Sequence, residues 1–130
     1  MTQLKETIDP NGELTLQVVA MPRDTNGFGD IYSGWLLSQM DLAGMVMARK
    51  ISRGRVATVA VGSMGFIRPV PVGSVVRCYA SLTDTGRTSM HITVEVWIDH
   101  EELEEPAKVS EGEFWYVAIN DQGKTRQLPN

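Results

Sequence analysis

The chain has 130 residues, 42% hydrophobic and 22% charged, which suffices for one globular domain with a sizeable core. Its formal net charge of −4 argues against nucleic acid as a partner, and a single cysteine, Cys78, excludes an intrachain disulfide and a thiolate metal cluster. No stretch approaches the roughly 18 consecutive apolar residues of a membrane span, and the acidic residues Glu6, Asp9 and Glu13 argue against a secretory signal. We expect one cytoplasmic domain over 1–130, no membrane partner, and loosely ordered ends at 1–12 and 120–130.

The first elements in chain order are a strand and a long helix. Residues 14–20 alternate between apolar and polar positions and predict a half-buried strand. A polar, glycine-rich turn follows, and then a helix over about 31–50, which Asp30 or Ser33 is placed to cap and Gly54 to end. Apolar residues occupy most of its circumference, which is typical of a helix enclosed by protein.

The rest of the chain predicts strands. The β-branched, aromatic or alternating segments are 55–61, 75–82, 88–98 and 113–119. Prolines break the segment 66–70, which is at best a short or edge strand, and the acidic residues 100–106 are expected to form a solvated connection. One strand, one enclosed helix and four or five antiparallel strands predict an α+β domain whose sheet wraps around the helix.

Asp41 is the one acid in the apolar helix, and the chemical interpretation depends on it. An unpaired charge among apolar side chains is costly, so such an acid is seldom without a role. Nearby amides or Gln39 are candidates for holding its carboxylate ionised. Its apolar neighbours are Leu36, Leu37, Met40, Leu42, Ala43, Met45, Val46 and Met47.

The start of this helix offers a place to polarise a carbonyl group. First-turn N–H groups lack intrahelical partners, and Gly34 has no side chain to keep a substrate atom from its amide. A thioester carbonyl bound there would be stabilised as negative charge develops on its oxygen. Taken alone, Gly29 and Gly34 are explained more simply as turn residues.

The spacing of these two features predicts a shared site. Asp41 lies seven residues beyond Gly34, which is about 10.5 Å farther along the helix axis. One helix cannot hold a carbonyl at its start and a water beside its own carboxylate across that gap. In two antiparallel copies, Asp41 of one chain faces Gly34 and Asn26 of the other, so we predict a homodimer with shared active sites.

A long stretch around the helix resembles a known family. Residues 21–41 read Met-Pro-Arg-Asp-Thr-Asn-x-x-Gly-Asp-Ile-Tyr-x-Gly-Trp-Leu-x-Ser-Gln-Met-Asp, and the similarity covers nearly all of the chain after residue 13. The pattern is similar to the acyl-CoA thioester hydrolases of the YciA type, within the hotdog-fold superfamily. The other matching segments are 54–56, 66–70, 72–76, 95–97 and 116–118.

The resemblance implies a hotdog fold, in which a five- to six-stranded antiparallel sheet wraps a long central helix, assembled as a trimer of dimers. It implies hydrolysis of acyl-CoA to free acid and CoA, with coenzyme A as part of the substrate and no cofactor. The family's catalytic aspartate falls on Asp41, as general base or nucleophile. Its carbonyl-polarising glycine falls on Gly34, and the asparagine that orients the thioester or the water falls on Asn26.

The chain also departs from the family pattern. Ser33 stands in place of a second glycine, and Ala43-Gly44 in place of a glycine pair. Gly62 and Gly65 occupy positions that are often larger. Small residues near Met64 either widen an acyl tunnel or loosen a strand, so Met64 is a candidate substrate-binding residue.

Two sets of residues are candidates for binding the CoA phosphates. Arg87, Thr88 and Ser89 lie at a hairpin turn predicted over 85–87 and offer amides, hydroxyls and one guanidinium, although an ordinary exposed turn explains them equally well. Arg68 pairs either with a phosphate or with a neighbouring acid, and the resemblance favours the phosphate.

Other functions are weighed against this interpretation. Ser38 lacks the elbow motif of a serine hydrolase, and neither His91 nor His100 lies near the helix start, where a hotdog hydratase or dehydratase needs a histidine. A non-catalytic acyl-CoA binding or regulatory module is the alternative from another class, and it has no need of Asp41. Acyl-chain length, base or nucleophile, and hexamer or tetramer are left open.

Overall fold

The computed structural model describes residues 9–130, and its elements follow the predicted α+β order. A first strand and a short 3-10 helix precede one long helix, and four further strands follow. The bounds are β1 Glu13–Val19, the 3-10 helix Pro22–Asp24, α1 Ser33–Ser52, β2 Val56–Phe66, β3 Val75–Thr85, β4 Ser89–Asp99 and β5 Ala107–Ala118.

The five strands form one antiparallel sheet in the order β1-β3-β4-β5-β2. Helix α1 contacts all five strands, so the sheet wraps around it as predicted. Side chains that alternate along each strand face the helix and form the core with it. In β4 these core residues are Met90, Ile92, Val94, Val96 and Ile98.

The ends of α1 differ from the prediction. Its N-cap is Tyr32, and no side chain caps the helix, so the caps predicted at Asp30 and Ser33 are wrong. The helix ends before Arg53, which adopts the left-handed conformation (φ 58°) more often taken by glycine. Gly54 is therefore not the terminating residue.

Strand β5 starts earlier than predicted, at Ala107 rather than at residue 113. Its polar first half weakened the alternating pattern, but this half still pairs with β4, for example Lys108 with Trp97. Pairing with a neighbouring strand therefore extends the element beyond the segment that its own residues indicate.

Strand β2 lies at an edge of the sheet and is also longer than predicted. It runs to Phe66, so the segment 66–70 contributes only the end of this edge strand. A bulge interrupts its pairing with β5 between Gly62 and Gly65, where Ser63 has a positive φ of 47°. Bulges of this kind limit pairing along exposed edges and redirect side chains.

The segment after β5 is held against the end of α1. Arg126 donates from Nη1 to the carbonyl oxygen of Ser52 over 2.9 Å, and Leu128 packs against the core. The expectation of a loosely ordered end at 120–130 did not anticipate these contacts. A loosely ordered end was also expected at 1–12, and residues 1–8 of that range lie outside the described residues.

Cys78 on β3 is fully buried, with 0% of its surface exposed. Burial raises the pKa of its thiol to about 12, so the reactive thiolate is scarce near neutral pH. We expect native protein to react with a disulfide reagent such as DTNB at least about 10²-fold more slowly than denatured protein. Rapid, complete labelling of the native protein at pH 8 would contradict this expectation.

Candidate active site

Asp41 lies midway along α1 and receives hydrogen bonds from two strands of the sheet. Thr58 on β2 donates from Oγ1 to Asp41 Oδ1 over 2.7 Å. Tyr116 on β5 donates its hydroxyl to the backbone carbonyl of Asp41 at 2.8 Å, and the same hydroxyl lies 3.1 Å from Oδ1. The acid predicted to carry the chemistry is therefore held by a threonine and a tyrosine.

The hydroxyls of Thr58 and Tyr116 meet the same oxygen of the Asp41 carboxylate. Among residues 9–130, none forms a hydrogen bond with Oδ2. This leaves Oδ2 available to a water or a substrate atom. Gln39 does not fill the role considered for it, because its amide faces Ser38 Oγ at 3.5 Å instead.

Tyr116 remains a hydrogen-bond donor at any ordinary pH. Burial raises the pKa of its phenol, and the nearby charge and hydrogen bond of Asp41 raise that pKa further. Its hydroxyl occupies the position that a side chain on Gly44 would need. Gly44 therefore permits the close approach of β5 to α1 that brings the phenol to Asp41.

Neither Thr58 nor Tyr116 was identified from the sequence. For Tyr116 a signal existed, since a phenol on the buried face of a strand needs a partner. Thr58 gave no comparable signal. The register of β2 shifts between Thr58 and Ala60, so alternation along this strand does not show which of its side chains face α1. The hydrogen bond from Thr58 to Asp41 depends on the packing of β2 beside α1.

Gly34 lies in the first turn of α1 and is exposed, as the predicted carbonyl site requires. Trp35 is the first residue whose amide reaches back to the N-cap, donating to the carbonyl oxygen of Tyr32 over 3.1 Å. Because no side chain caps the helix, the Gly34 amide has no capping partner to displace. This geometry suits an oxyanion donor.

Asn26 is exposed in the turn before the helix and organises that turn. Its side-chain oxygen accepts a hydrogen bond from the amide of Phe28 over 2.9 Å. Its own amide donates to the carbonyl oxygen of Asp30 over 2.8 Å. Within one chain the side-chain oxygen of Asn26 therefore serves the turn, and the side-chain NH₂ group can still donate a hydrogen bond elsewhere.

A groove of about 290 Å³ lies next to the helix start. Arg68 and Ser33 line it together with apolar side chains, so one predicted CoA-binding residue lies close to Gly34. Arg68 itself is exposed. The apolar lining consists of Ile31, Leu36, Phe66, Ile67, Pro69 and Val70.

The predicted hairpin 87–89 lies far from Arg68 within one chain. Ala118 donates its amide to the carbonyl oxygen of Thr88 over 2.8 Å, and Ala118 pairs with Val56 at the start of β2. Arg68 instead follows the end of β2, a strand of 11 residues that spans about 35 Å. The two predicted CoA-binding sets are therefore at opposite ends of this strand.

Met64, the remaining predicted substrate-binding residue, lies on the β2 bulge and is half-buried. It packs inward against Met40 of α1 and Gly112 of β5. This places Met64 beside the core rather than at the surface with the arginines.

The two histidines have hydrogen-bond partners other than Asp41. His91 Nε2 lies 2.6 Å from Glu113 Oε1, and His100 Nε2 lies 3.2 Å from the carbonyl oxygen of Val72. Residues 9–130 contain no group of three or more side chains suited to bind a metal ion. Within the same range, no helix has both the length and the apolar character needed to cross a membrane.

Comparison of the sequence with models of protein families assigns the chain to one of them. Residues 28–105 match the family model described as "Thioesterase superfamily". The chain belongs to this superfamily. The match includes Gly34, Asp41 and Thr58.

Several other proteins resemble the chain over nearly its full length. The acyl-CoA thioester hydrolase YciA of Salmonella typhimurium is 48% identical, covering 99% of this chain and 98% of that protein. A hexameric thioesterase from Yersinia pestis has 50% identity and a TM-score of 0.89, covering 93% and 98% of the two chains. A hexameric hotdog fold thioesterase of Campylobacter jejuni has 36% identity and a TM-score of 0.86, covering 91% of each chain.

Membership of the thioesterase superfamily confirms the predicted resemblance and the hotdog fold. It also confirms, at the level of the family, the predicted enzyme class of thioester hydrolases. The roles of individual residues remain predictions, which rest on the geometry described above.

Proposed function

We propose that this protein hydrolyses acyl-CoA to a free carboxylic acid and CoA. The observation that carries the proposal is the Asp41 carboxylate, fixed at Oδ1 by Thr58 and Tyr116 with Oδ2 unengaged by residues 9–130. Relatives that are acyl-CoA thioester hydrolases by name support the substrate class.

In this proposal the active site is shared by two copies of the chain. Asp41 and Gly34 are separated by about 10.5 Å along one helix, so each needs its counterpart from a second copy. Edge strand β2 offers a surface for that copy, because Val59 and Val61 are 57% and 47% exposed. Exposed apolar residues at a sheet edge favour pairing with another chain.

The complete site then combines one end of one copy with the opposite end of the other copy. One copy contributes Asp41, with the hairpin 87–89 close to the end of β5 that carries Tyr116. The other copy contributes Gly34, Asn26 and Arg68 from its helix start. In this arrangement residues 87–89 of one copy and Arg68 of the other can bind the same CoA molecule, although they lie far apart within one chain. The hexameric neighbours support a trimer of such dimers.

The chemistry follows from these positions. The Gly34 amide stabilises the negative charge that develops on the thioester oxygen. Asp41 either takes a proton from a water that attacks the carbonyl carbon or attacks that carbon itself, forming an anhydride that water then cleaves. In both routes the C–S bond breaks and the CoA thiolate leaves and is protonated. Single-turnover hydrolysis in ¹⁸O-water identifies an anhydride that water cleaves at the Asp41 carboxyl carbon, because the acid product then carries ¹⁶O from Asp41 and Asp41 gains ¹⁸O, whereas direct attack by water puts ¹⁸O in the acid.

The direct test is CoA release from short, medium and long acyl-CoAs by the wild-type protein, with acyl-CoA binding measured in parallel. Sustained turnover on part of the panel is the expected result. Tight binding without turnover would contradict the proposal and favour a non-catalytic acyl-CoA binding module.

A mixed oligomer tests the shared site. Asp41→Asn and Gly34→Pro, which removes the amide donor, should each abolish most activity, because each variant spoils both sites of a homodimer. Unfolding and refolding the two variants together should restore about one quarter of wild-type turnover, since half of the dimers are mixed and one of their two sites is intact. No recovery, with dimers confirmed by light scattering, would contradict a site shared in this way.

A further inference from the structure

The two side chains that bind the Asp41 carboxylate are direct neighbours across the sheet. Thr58 on β2 and Tyr116 on β5 are partners in the antiparallel ladder, and directly opposite residues place their side chains on the same face of a sheet. Their hydroxyls reach Asp41 Oδ1 at 2.7 and 3.1 Å respectively. Strand β2 is an edge strand, whereas β5 lies between β4 and β2. Tyr116 is therefore the donor whose strand is held on both sides.

The Tyr116 hydroxyl connects the backbone and the side chain of Asp41. It lies 2.8 Å from the backbone carbonyl oxygen and 3.1 Å from Oδ1. The first contact fixes the phenol relative to α1, and the second fixes the carboxylate relative to the phenol. Because none of residues 9–130 forms a hydrogen bond with Oδ2, holding Oδ1 restricts rotation of the carboxylate and gives Oδ2 one direction.

Packing of the core does not require this hydroxyl. Phe114 lies two residues earlier on the same face of β5, fully buried, with its ring centre 6.3 Å from that of Tyr116. A phenylalanine would fill the same part of the core, without a buried hydroxyl that must find a partner. The phenol also requires glycine at position 44 within α1, where glycine weakens a helix. Two features unfavourable to stability thus serve the contact with Asp41.

We propose that Tyr116 is a positioning residue for hydrolysis, whose hydroxyl holds Asp41 Oδ1 so that Oδ2 points at the reacting thioester. The inference rests on the proposed acyl-CoA hydrolysis. In both routes of that reaction Oδ2 must meet a water or the carbonyl carbon in a defined geometry, and a misplacement of about 1 Å can cost about 10²-fold in rate. Tyr116 does not act as the base, because burial raises the pKa of its phenol and leaves no phenolate near neutral pH.

Phenylalanine in place of Tyr116 should lower kcat by about 10–10²-fold, because the ring stays but Oδ2 is no longer aimed. The affinity for a non-hydrolysable acyl-CoA ether should stay at the wild-type value. Tyr79→Phe is the matched control, since it makes the same change on half-buried β3, a strand that pairs with neither β2 nor β5. Wild-type kcat in Tyr116→Phe would overturn the proposal.

The same change beside Asp41→Asn separates positioning from a structural role. Asparagine keeps both the backbone carbonyl and Oδ1, so Tyr116→Phe should lower the free energy of unfolding equally in the two backgrounds, as measured with urea. It should not lower the residual kcat of Asp41→Asn, because no carboxylate is left to position. An equal fractional loss of kcat in both backgrounds would overturn the proposal.

An amine at the same place tests the donor itself. Tyr116→p-aminophenylalanine, made with an expanded genetic code, carries N–H donors where the hydroxyl was, so it should recover most of the kcat lost in Tyr116→Phe. A kcat no higher than that of Tyr116→Phe, in protein folded by circular dichroism, would overturn the role of the hydroxyl. Absence of turnover by the wild type would instead overturn the proposed function.

Discussion

Asparagine in place of Asp41 is expected to lower kcat for acyl-CoA hydrolysis by about 10²–10⁴-fold, the range for loss of a general base. The amide oxygen of asparagine can still accept the hydrogen bond from Thr58, so the side chain should keep its place. The amide cannot take a proton from water, and it is a poor nucleophile. The defect should therefore appear in kcat, with little change in the affinity for acyl-CoA.

The measurement is steady-state CoA release, together with binding of a non-hydrolysable acyl-CoA ether. Asp84→Asn is the matched control, since it makes the same change on an exposed residue of β3. Equal turnover by Asp41→Asn and the wild type would show that the chemistry lies elsewhere. A loss of binding as large as the loss of kcat would assign Asp41 to substrate binding instead.

Alanine in place of Gly44 is expected to lower the free energy of unfolding by about 3 kcal/mol. The new methyl group would overlap the Tyr116 hydroxyl and lie 2.9 Å from Cζ of the same ring. Because both residues belong to packed elements, relief requires moving α1 away from β5 or displacing the phenol. Displacement breaks the hydrogen bonds from Tyr116 to Asp41, so activity should fall together with stability.

Urea unfolding followed by circular dichroism measures this loss. Gly65→Ala is the control, because a side chain at Gly65 meets nothing within 4 Å. Adding Tyr116→Phe removes the nearest colliding atom, so the double variant should lose less stability than the sum of the two single changes. Strict additivity, or equal effects at Gly44 and Gly65, would contradict the steric explanation.

Local patterns were sufficient for several parts of this protein. The enclosed helix and the long strands followed from apolar periodicity, because side-chain burial against one neighbouring layer imposes that periodicity. Asp41 stood out as a lone acid among apolar residues, and in the structure its carboxylate accepts hydrogen bonds from hydroxyl groups of two strands. The ends of α1 were predicted wrongly, because capping depends on backbone angles at Tyr32 and Arg53 that residue type only weakly restricts.

The sequence by itself thus determined the α+β class, the hotdog resemblance and the acid on the helix, since each depends on residues close together in the chain. Only the tertiary structure decided which groups hold that acid. Thr58 and Tyr116 reach Asp41 because β2 pairs with β5 at the sheet edge, and because Gly44 lets the phenol approach α1. Strand order and helix-to-sheet distance arise from packing between segments remote in sequence, and no local pattern of residues encodes them.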